Sequence, residues 1–232
     1  MDNGPPMYTL HIANKNYSSW SLRPWLVLSV LNIPFHEELH PFPENGAREL
    51  YRTFSPTGKV PCLQDGDRVI WDSLAIVEYL AEHHPHVWPS DKTARAWARS
   101  AAAEMHSGFQ ALRSNCGMSC GVRIEIPAIS PELQKDISRI DELWSQGLKK
   151  FGGPFLAGKE FSAVDAFFAP VVFRVQTYQL ALGKTASEYL NTMLALPNLQ
   201  AWYEAALKET WREPGHENEV LNAGKLVADL RS

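Results

Sequence analysis

The chain has 232 residues, 45% of them hydrophobic and 21% charged, with a formal net charge of −4. That is enough apolar material for one large or two small cores and too much for disorder, and the charges are spread without the one-signed basic stripe that neutralises nucleic-acid phosphates. Residues 1–6 carry neither a basic cluster nor an apolar run, and no later stretch approaches the roughly 18 uninterrupted apolar residues of a membrane span, so a cytoplasmic protein with no nucleic-acid or membrane partner is expected.

Residues Tyr8–Ile12 alternate as a strand does, pass through polar Asn14, Lys15 and Asn16, and enter an apolar run at 22–33 that reads as a helix. A short segment at 35–40, bounded by Pro34 and Pro41, is the second strand; after a helical crossover it must return parallel to the first. A helix is expected over 44–54. Pro61-Cys62-Leu63-Gln64 and Arg68-Val69-Ile70-Trp71 flank an Asp65-Gly66 pair, a hairpin signal. Asp72-Ser73 then offers cap side chains to a helix in which Leu74, Val77 and Ala81, with Ile76 and Leu80, recur at helical spacing. The order βαβ, helix, ββ, helix closes near His84-Pro85.

The stretch 86–92 has linker composition, and everything beyond it reads helical: 93–114, rich in Ala, Arg and Glu; 131–151 and 197–210, each opened by a proline; and a helix opened by Ser162 with Asp165 three residues on. The division expected is a first domain at 1–85, a linker at 86–92 and an all-helical domain at 93–232. The cysteines, Cys62, Cys116 and Cys120, are odd in number and expected to be reduced thiols. Cys116 and Cys120 lack a second pair and are interrupted by glycines, so no metal is expected.

Three segments carry candidate chemistry. Ser18, Ser19 and Ser21 lie between the first strand and the first helix, where unpaired helix N–H groups favour an anion and a hydroxyl can donate to it; they serve equally as helix caps. Val60-Pro61 opens the third strand, and a cis bond there would turn the Val60 backbone outward to pair with an extended peptide. Asp72-Ser73 starts the following helix.

Taken together and in this order, these segments resemble the glutathione transferase family. Arg23, Leu26 and Leu28 with Ile33-Pro34-Phe35 match its first helix and second strand, Gly58-Lys59-Val60-Pro61 its cis-proline loop, and Asp72-Ser73-Leu74-Ala75-Ile76 its acidic-Ser-x-x-Ile element. Phe155-Leu156-Ala157-Gly158-Lys159 followed by Ser162-Ala163-Val164-Asp165 matches the capped core helix of its second domain. The resemblance implies an α/β thioredoxin-like domain (βαβαββα) followed by an all-α domain, and a detoxifying transferase that activates the glutathione thiolate toward a small electrophilic, apolar acceptor. It places Ser18, with Ser19 as rival, at the thiol-activating position of zeta- and theta-like members, and Trp20 where zeta-like members carry cysteine. Lys59, Val60, Pro61, Asp72 and Ser73 would hold glutathione, the co-substrate.

The acceptor pocket would come largely from the helical half. On 93–114, Met105, Phe109 and Arg113 follow i, i+4, i+8, with His106 on the adjoining strip. Interior packing is the competing reading and is favoured for Met105. An isomerase, a dehalogenase or ether-cleaving enzyme, a peroxidase and a non-catalytic binding module share the same fold. A homodimer is expected through helices bearing Arg95, Trp97, Arg99, Phe109 and Arg113.

Overall fold

The computed structural model describes residues 8–43 and 49–232. β1 (Tyr8–Ile12) runs into α1 (Ser19–Val30), and β2 (Phe35–Leu39) returns parallel to β1 with Tyr8 opposite Phe35 and Ile12 opposite Leu39. β3 (Cys62–Asp65) lies antiparallel on the other side of β1, and β4 (Arg68–Trp71) antiparallel beyond it, giving the order β2-β1-β3-β4. Leu10, Ile12 and Leu63 are fully buried in the two central strands, whereas edge strand β2 is half-exposed and carries the charged Glu37 and Glu38. The β3–β4 turn is Gly66-Asp67 rather than Asp65-Gly66: the strands extend to Asp65 and resume at Arg68, and Gly66 takes the positive-φ first turn position at 58°. α2 (Ser73–His83) completes the βαβ–ββα order. The helix expected over 44–54 falls partly at 44–48, outside the described residues; Tyr51–Thr53 form a single 3-10 turn.

The helical half begins with α3 (Lys92–Ser107), capped by Asp91, whose carboxylate accepts from the Ala94 N–H at 2.8 Å. The helix expected to run on to residue 114 breaks instead at Gly108 and Phe109, and α4 (Gln110–Asn115) starts afresh. A Cβ at position 108 would lie 2.8 Å from the Glu104 carbonyl oxygen, so only glycine permits the bend. Phe109 is left-handed at φ 58°. Arg113 then folds back, donating from Nε to the Gly108 carbonyl at 2.9 Å and from Nη2 to the carbonyls of Met105 and His106, which caps α3 with a side chain from α4. The break ends the i, i+4, i+8 relation of Met105, Phe109 and Arg113.

β5 (Val122–Glu125) follows, then α5 (Pro131–Phe151), whose bounds are those expected from its proline start and its Gly152 stop at φ 82°. α6 (Ala163–Tyr178) is the central helix, buried at every position except Gln176 and packed against both α1 and α3. Asp165 anchors its start: the carboxylate accepts from the N–H groups of Leu156 and Ser162, each at 3.0 Å, and from the Tyr189 hydroxyl at 2.9 Å, while burial pushes its pKa up to about 6. α7 (Lys184–Leu194), α8 (Pro197–Leu207) and α9 (Pro214–Asn222) precede a closing strand, β6 (Lys225–Asp229). β6 pairs antiparallel with β5, so the second half is helical with one two-stranded sheet where helix alone was expected.

Candidate active site

The loop from β1 to α1 is almost wholly buried although it is polar. Asn14, Lys15 and Asn16 lie below 10% exposure because each has internal partners. The Asn14 carbonyl accepts from the Tyr17 and Ser18 N–H groups at 3.2 and 2.8 Å, and the Asn14 side chain accepts from Phe42 N–H at 2.7 Å. Glu209, just past α8, accepts from Lys15 N–H at 2.6 Å and from Asn16 N–H at 3.1 Å; burial raises its pKa against those two hydrogen bonds. Trp202 on α8 donates its indole N–H to the Lys15 carbonyl at 2.9 Å, and Asn16 Oδ1 accepts from Gly121 N–H at 3.0 Å. The Lys15 ammonium pairs with Glu37 at 2.7 Å.

This fixed loop delivers Ser18 and Ser19 to the start of α1. Ser18 Oγ donates to Ser21 Oγ at 2.7 Å, and Ser21 Oγ also accepts from Ala13 N–H at 3.3 Å. The Ser19 hydroxyl and the N–H groups of Trp20 and Ser21 have no hydrogen-bond partner among the described residues. A helix start with free N–H groups, two hydroxyls and a positive dipole end favours an anion.

Ser18 and Ser19 line a cavity of about 510 Å³, with Trp20, Gly58, Lys59 and Val60 on the same side. The Val60–Pro61 bond is cis, and the Val60 N–H and C=O make no hydrogen bond among the described residues. The helical half contributes Arg113, Gly117, Met118 and Arg174 to the cavity lining, and the C-terminal segment contributes Glu213, His216 and Glu219. Trp20 lies between two guanidinium groups, Arg23 at 4.1 Å and Arg113 at 4.8 Å from its ring. Arg23 is buried; its Nη1 donates to Ser73 Oγ at 3.3 Å and lies 3.4 Å from His106 Nδ1, and burial holds its pKa well below the usual arginine range. His106 Nε2 lies 3.4 Å from an Asp72 carboxylate oxygen, and burial lowers its pKa.

Asp72 caps α2, accepting from the N–H groups of Leu74 and Ala75 at 2.8 and 3.4 Å. It does so from φ 75°, a strained conformation for a residue with a side chain.

Of the residues singled out in the sequence, Ser18, Ser19, Trp20, Lys59, Val60 and Arg113 line the cavity. Pro61, Asp72, Ser73 and His106 do not line it; Ser73 is buried against Arg23, and His106 sits behind Trp20 at 5.3 Å. Met105 packs in the core, the reading favoured for it, and Phe109, left-handed at the break after Gly108, is buried as well and does not line the pocket. Tyr17 lines the cavity but its hydroxyl is held by Glu217 at 2.5 Å, and burial pushes its pKa up. Tyr8 is a packing residue, bonded to His84 at 3.2 Å. The three cysteines are buried free thiols; burial pushes Cys62 up to about 11 and Cys116 up to about 12. His11, Glu38 and His40 cluster on one face of β1 and β2, with His11 Nδ1 and His40 Nε2 sharing a hydrogen bond at 3.0 Å. Sequence reasoning missed Arg174, although an arginine in the otherwise apolar face-to-face pattern of α6 is a visible anomaly, and missed Glu213, His216, Glu219 and Glu209, for which no local signal exists.

A mixed four-stranded sheet with its cis-proline loop, joined to a helical half across a cavity with hydroxyls at a helix start, defines a thioredoxin-like, two-part architecture. Residues 17–83 match the family model described as Glutathione S-transferase, N-terminal domain, and residues 127–205 the one described as Glutathione S-transferase, C-terminal domain. The chain belongs to the glutathione S-transferase family. It is 30% identical to a glutathione S-transferase-like protein, OpS6, of Beauveria bassiana (strain ARSEF 2860), covering 86% of this chain and 89% of that one. A probable maleylacetoacetate isomerase of Caenorhabditis elegans is 25% identical over 85% of this chain and 92% of its own. A glutathione transferase homolog from Burkholderia gl BGR1, solved with bound glutathione, shares the fold with a TM-score of 0.63 at 23% identity, over 87% and 98% of the two chains.

Removing the Glu209 carboxylate strands two buried N–H groups, each costing about 1–3 kcal/mol. At about 2–4 °C per kcal/mol for a chain of this size, Glu209→Ala is therefore expected to lower the melting temperature by about 4–24 °C. A melting curve within 2 °C of the wild type would show that the loop holds without the clamp.

Proposed function

We propose that this chain binds glutathione along the wall formed by α1 and the Val60 loop and transfers its sulfur to a small electrophilic acceptor held against the residues that the helical half contributes. The observation that carries this reading is that Ser18, Ser19, Trp20 and Val60 line one cavity of about 510 Å³, with an unpaired N–H on Trp20 at the helix start and an unpaired backbone on Val60. An ordinary alkyl thiol has a pKa near ~8.5, so a site must favour the anion to use it at neutral pH. A hydroxyl donor at the positive end of α1 does this, and the serine acts as donor and not as nucleophile. Ser18 takes this role by turning its proton from Ser21 to sulfur; Ser19, with a free hydroxyl, is the alternative.

Val60 N–H and C=O pair with the cysteinyl backbone, Lys59 reaches the glycyl carboxylate, and Asp72 and Ser73 receive the γ-glutamyl end, with Arg23 behind Ser73 adding positive charge. The sulfur attacks the electrophilic carbon, a C–S bond forms, the leaving group departs with its electron pair, and the thiol proton passes to solvent. No metal enters this scheme. The site stands between two domains, 1–85 and 93–232 with 86–92 as linker, in a cytoplasmic protein; no helix among the described residues is long and apolar enough to cross a membrane.

We read the functional unit as a homodimer whose contact adds α2 and β4 to the α3 face the sequence suggested, since Arg99 pairs at 3.2 Å with Glu78, which borders the groove of Trp71. Phe109 is buried and Arg113 turned inward, so neither is available to a partner. Trp71 is 45% exposed beside Val69, Ile70 and Leu74 at the edge of a shallow apolar groove, an arrangement that suits a subunit contact.

Ser18→Ala is expected to raise the apparent pKa of bound glutathione and slow conjugation by about 10²-fold or more while changing glutathione affinity little. The pH–rate profiles of Ser18→Ala and Ser19→Ala on a model aryl halide decide between the hydroxyls; a larger effect from Ser19→Ala assigns the role to Ser19.

Asp72→Ala and Ser73→Ala are expected to raise the Michaelis constant for glutathione far more than they lower kcat, since they hold a part of the substrate remote from sulfur. The Asp72 variant also loses a helix cap worth about 1 kcal/mol. Unchanged Michaelis constants in both would remove the γ-glutamyl assignment.

Light scattering at micromolar concentration is expected to give twice the 26.1 kDa chain mass, and Trp71→Glu to shift it toward one chain. A wild-type mass of 26.1 kDa would defeat the dimer.

A further inference from the structure

Arg174 is the one charged residue on α6 besides the anchoring Asp165, and it is only 5% exposed. It nonetheless forms part of the cavity wall. Its Nε donates to the Cys116 carbonyl at 2.8 Å, which fixes the guanidinium, while Nη1 is buried with no hydrogen-bond partner among the described residues. Arg113, also on the wall, spends Nε on the Gly108 carbonyl and Nη2 on the carbonyls of Met105 and His106 at the end of α3. Neither arginine forms an ion pair among the described residues; the nearest carboxylates act at a distance, Asp136 on Arg113 and the exposed Glu219 on Arg174. A buried, unpaired guanidinium is costly, and here a second positive charge adds to the cost.

We propose that Arg174, supported by the field of Arg113, is a carboxylate subsite in the acceptor half of the cavity, so that the preferred electrophile carries a carboxylate rather than being wholly apolar. This rests on the transferase reading given above. The guanidinium fork matches the two oxygens of a carboxylate, and with Nε spent on Cys116 the Nη1 and Nη2 groups, neither hydrogen-bonded among the described residues, are the donors left for it. In the transferase reading, glutathione's own carboxylates are taken by Lys59 and the start of α2, in the first half of the chain, and leave Arg174 to the acceptor. Glu213 and Glu219 on the C-terminal side of the cavity weigh against a dianion, which favours a singly charged carboxylate over a phosphate. Burial and the neighbouring Arg113 lower the Arg174 pKa only to about 10, so the group is cationic at neutral pH.

The test compares a carboxylate with its neutral amide isostere. Calorimetry with 4-nitrobenzoate and 4-nitrobenzamide, in the presence of S-methylglutathione, is expected to show the acid bound more tightly by about 10- to 100-fold, the range for a hydrogen bond to a charged group. Arg174→Met is expected to abolish that preference while leaving amide affinity unchanged, which reports an intact cavity, and Arg174→Lys to restore part of it. Equal wild-type affinities, or a preference that survives Arg174→Met, would overturn the subsite. Turnover separates this from the transferase reading. With 4-chloro-3-nitrobenzoate and its amide, sulfur bonds to the ring carbon that carries chlorine, chloride leaves with the bonding pair, the thiol proton goes to solvent, and the carboxylate is untouched. Turnover of neither compound tells against the transferase reading and leaves the calorimetric result standing. Turnover of both with an acid-to-amide ratio of kcat/KM no higher than the ratio of their uncatalysed rates with glutathione overturns the subsite and leaves the transferase reading intact.

Discussion

The buried carboxylate of Glu209 is the constraint on which the site depends. The loop between β1 and α1 is polar, and a polar loop survives in a protein interior only when each N–H and C=O finds a partner. Those partners come from the far end of the chain: Glu209 takes the N–H groups of Lys15 and Asn16, and Trp202 takes the Lys15 carbonyl. With the loop pinned, α1 must begin where it does, and the hydroxyls of Ser18 and Ser19 arrive at the cavity with the free first-turn N–H groups beside them. The helical half thus determines the geometry of a site whose donors belong to the first half.

A second consequence concerns charge. The Trp20 ring is in contact with the guanidinium groups of both Arg23 and Arg113, a cation–π contact worth about 0.5–2 kcal/mol apiece. Arg23 faces α2 and its Asp72–His106 pair, whereas Arg113 and Arg174 face the cavity. Positive charge therefore gathers around Trp20, from Arg23 beside the start of α2 and from Arg113 on the cavity wall. The break in α3 makes this possible, because only after the bend at Gly108 does Arg113 reach back over the end of its own preceding helix.

Much of this was legible in local pattern. The strand alternation at Tyr8–Ile12, the proline and glycine that bound α5, and the Asp72 cap are decided by residues adjacent in sequence, and each is found where those residues put it. The failures share a different cause. The bend at Gly108 lies in a stretch whose composition favours helix on both sides, and it is held by Arg113 returning from the next turn. The β5–β6 pair joins segments some hundred residues apart, and neither strand carries a turn signal that would announce the other.

By itself the sequence determined the order of elements, the family resemblance and the short motifs that gather at one end of the sheet, because these rest on hydrophobic period, turn chemistry and capping, which act over a few residues. Only the tertiary structure decided which of those residues share a cavity. Phe109 went to the core, Asp72 and Ser73 beside His106 and Arg23 outside the cavity lining, and Arg174, unremarked in the apolar run of α6, came to the wall. Such placement depends on where Glu209 and the C-terminal segment return, a matter of long-range packing and of satisfying buried polar groups that no local pattern encodes.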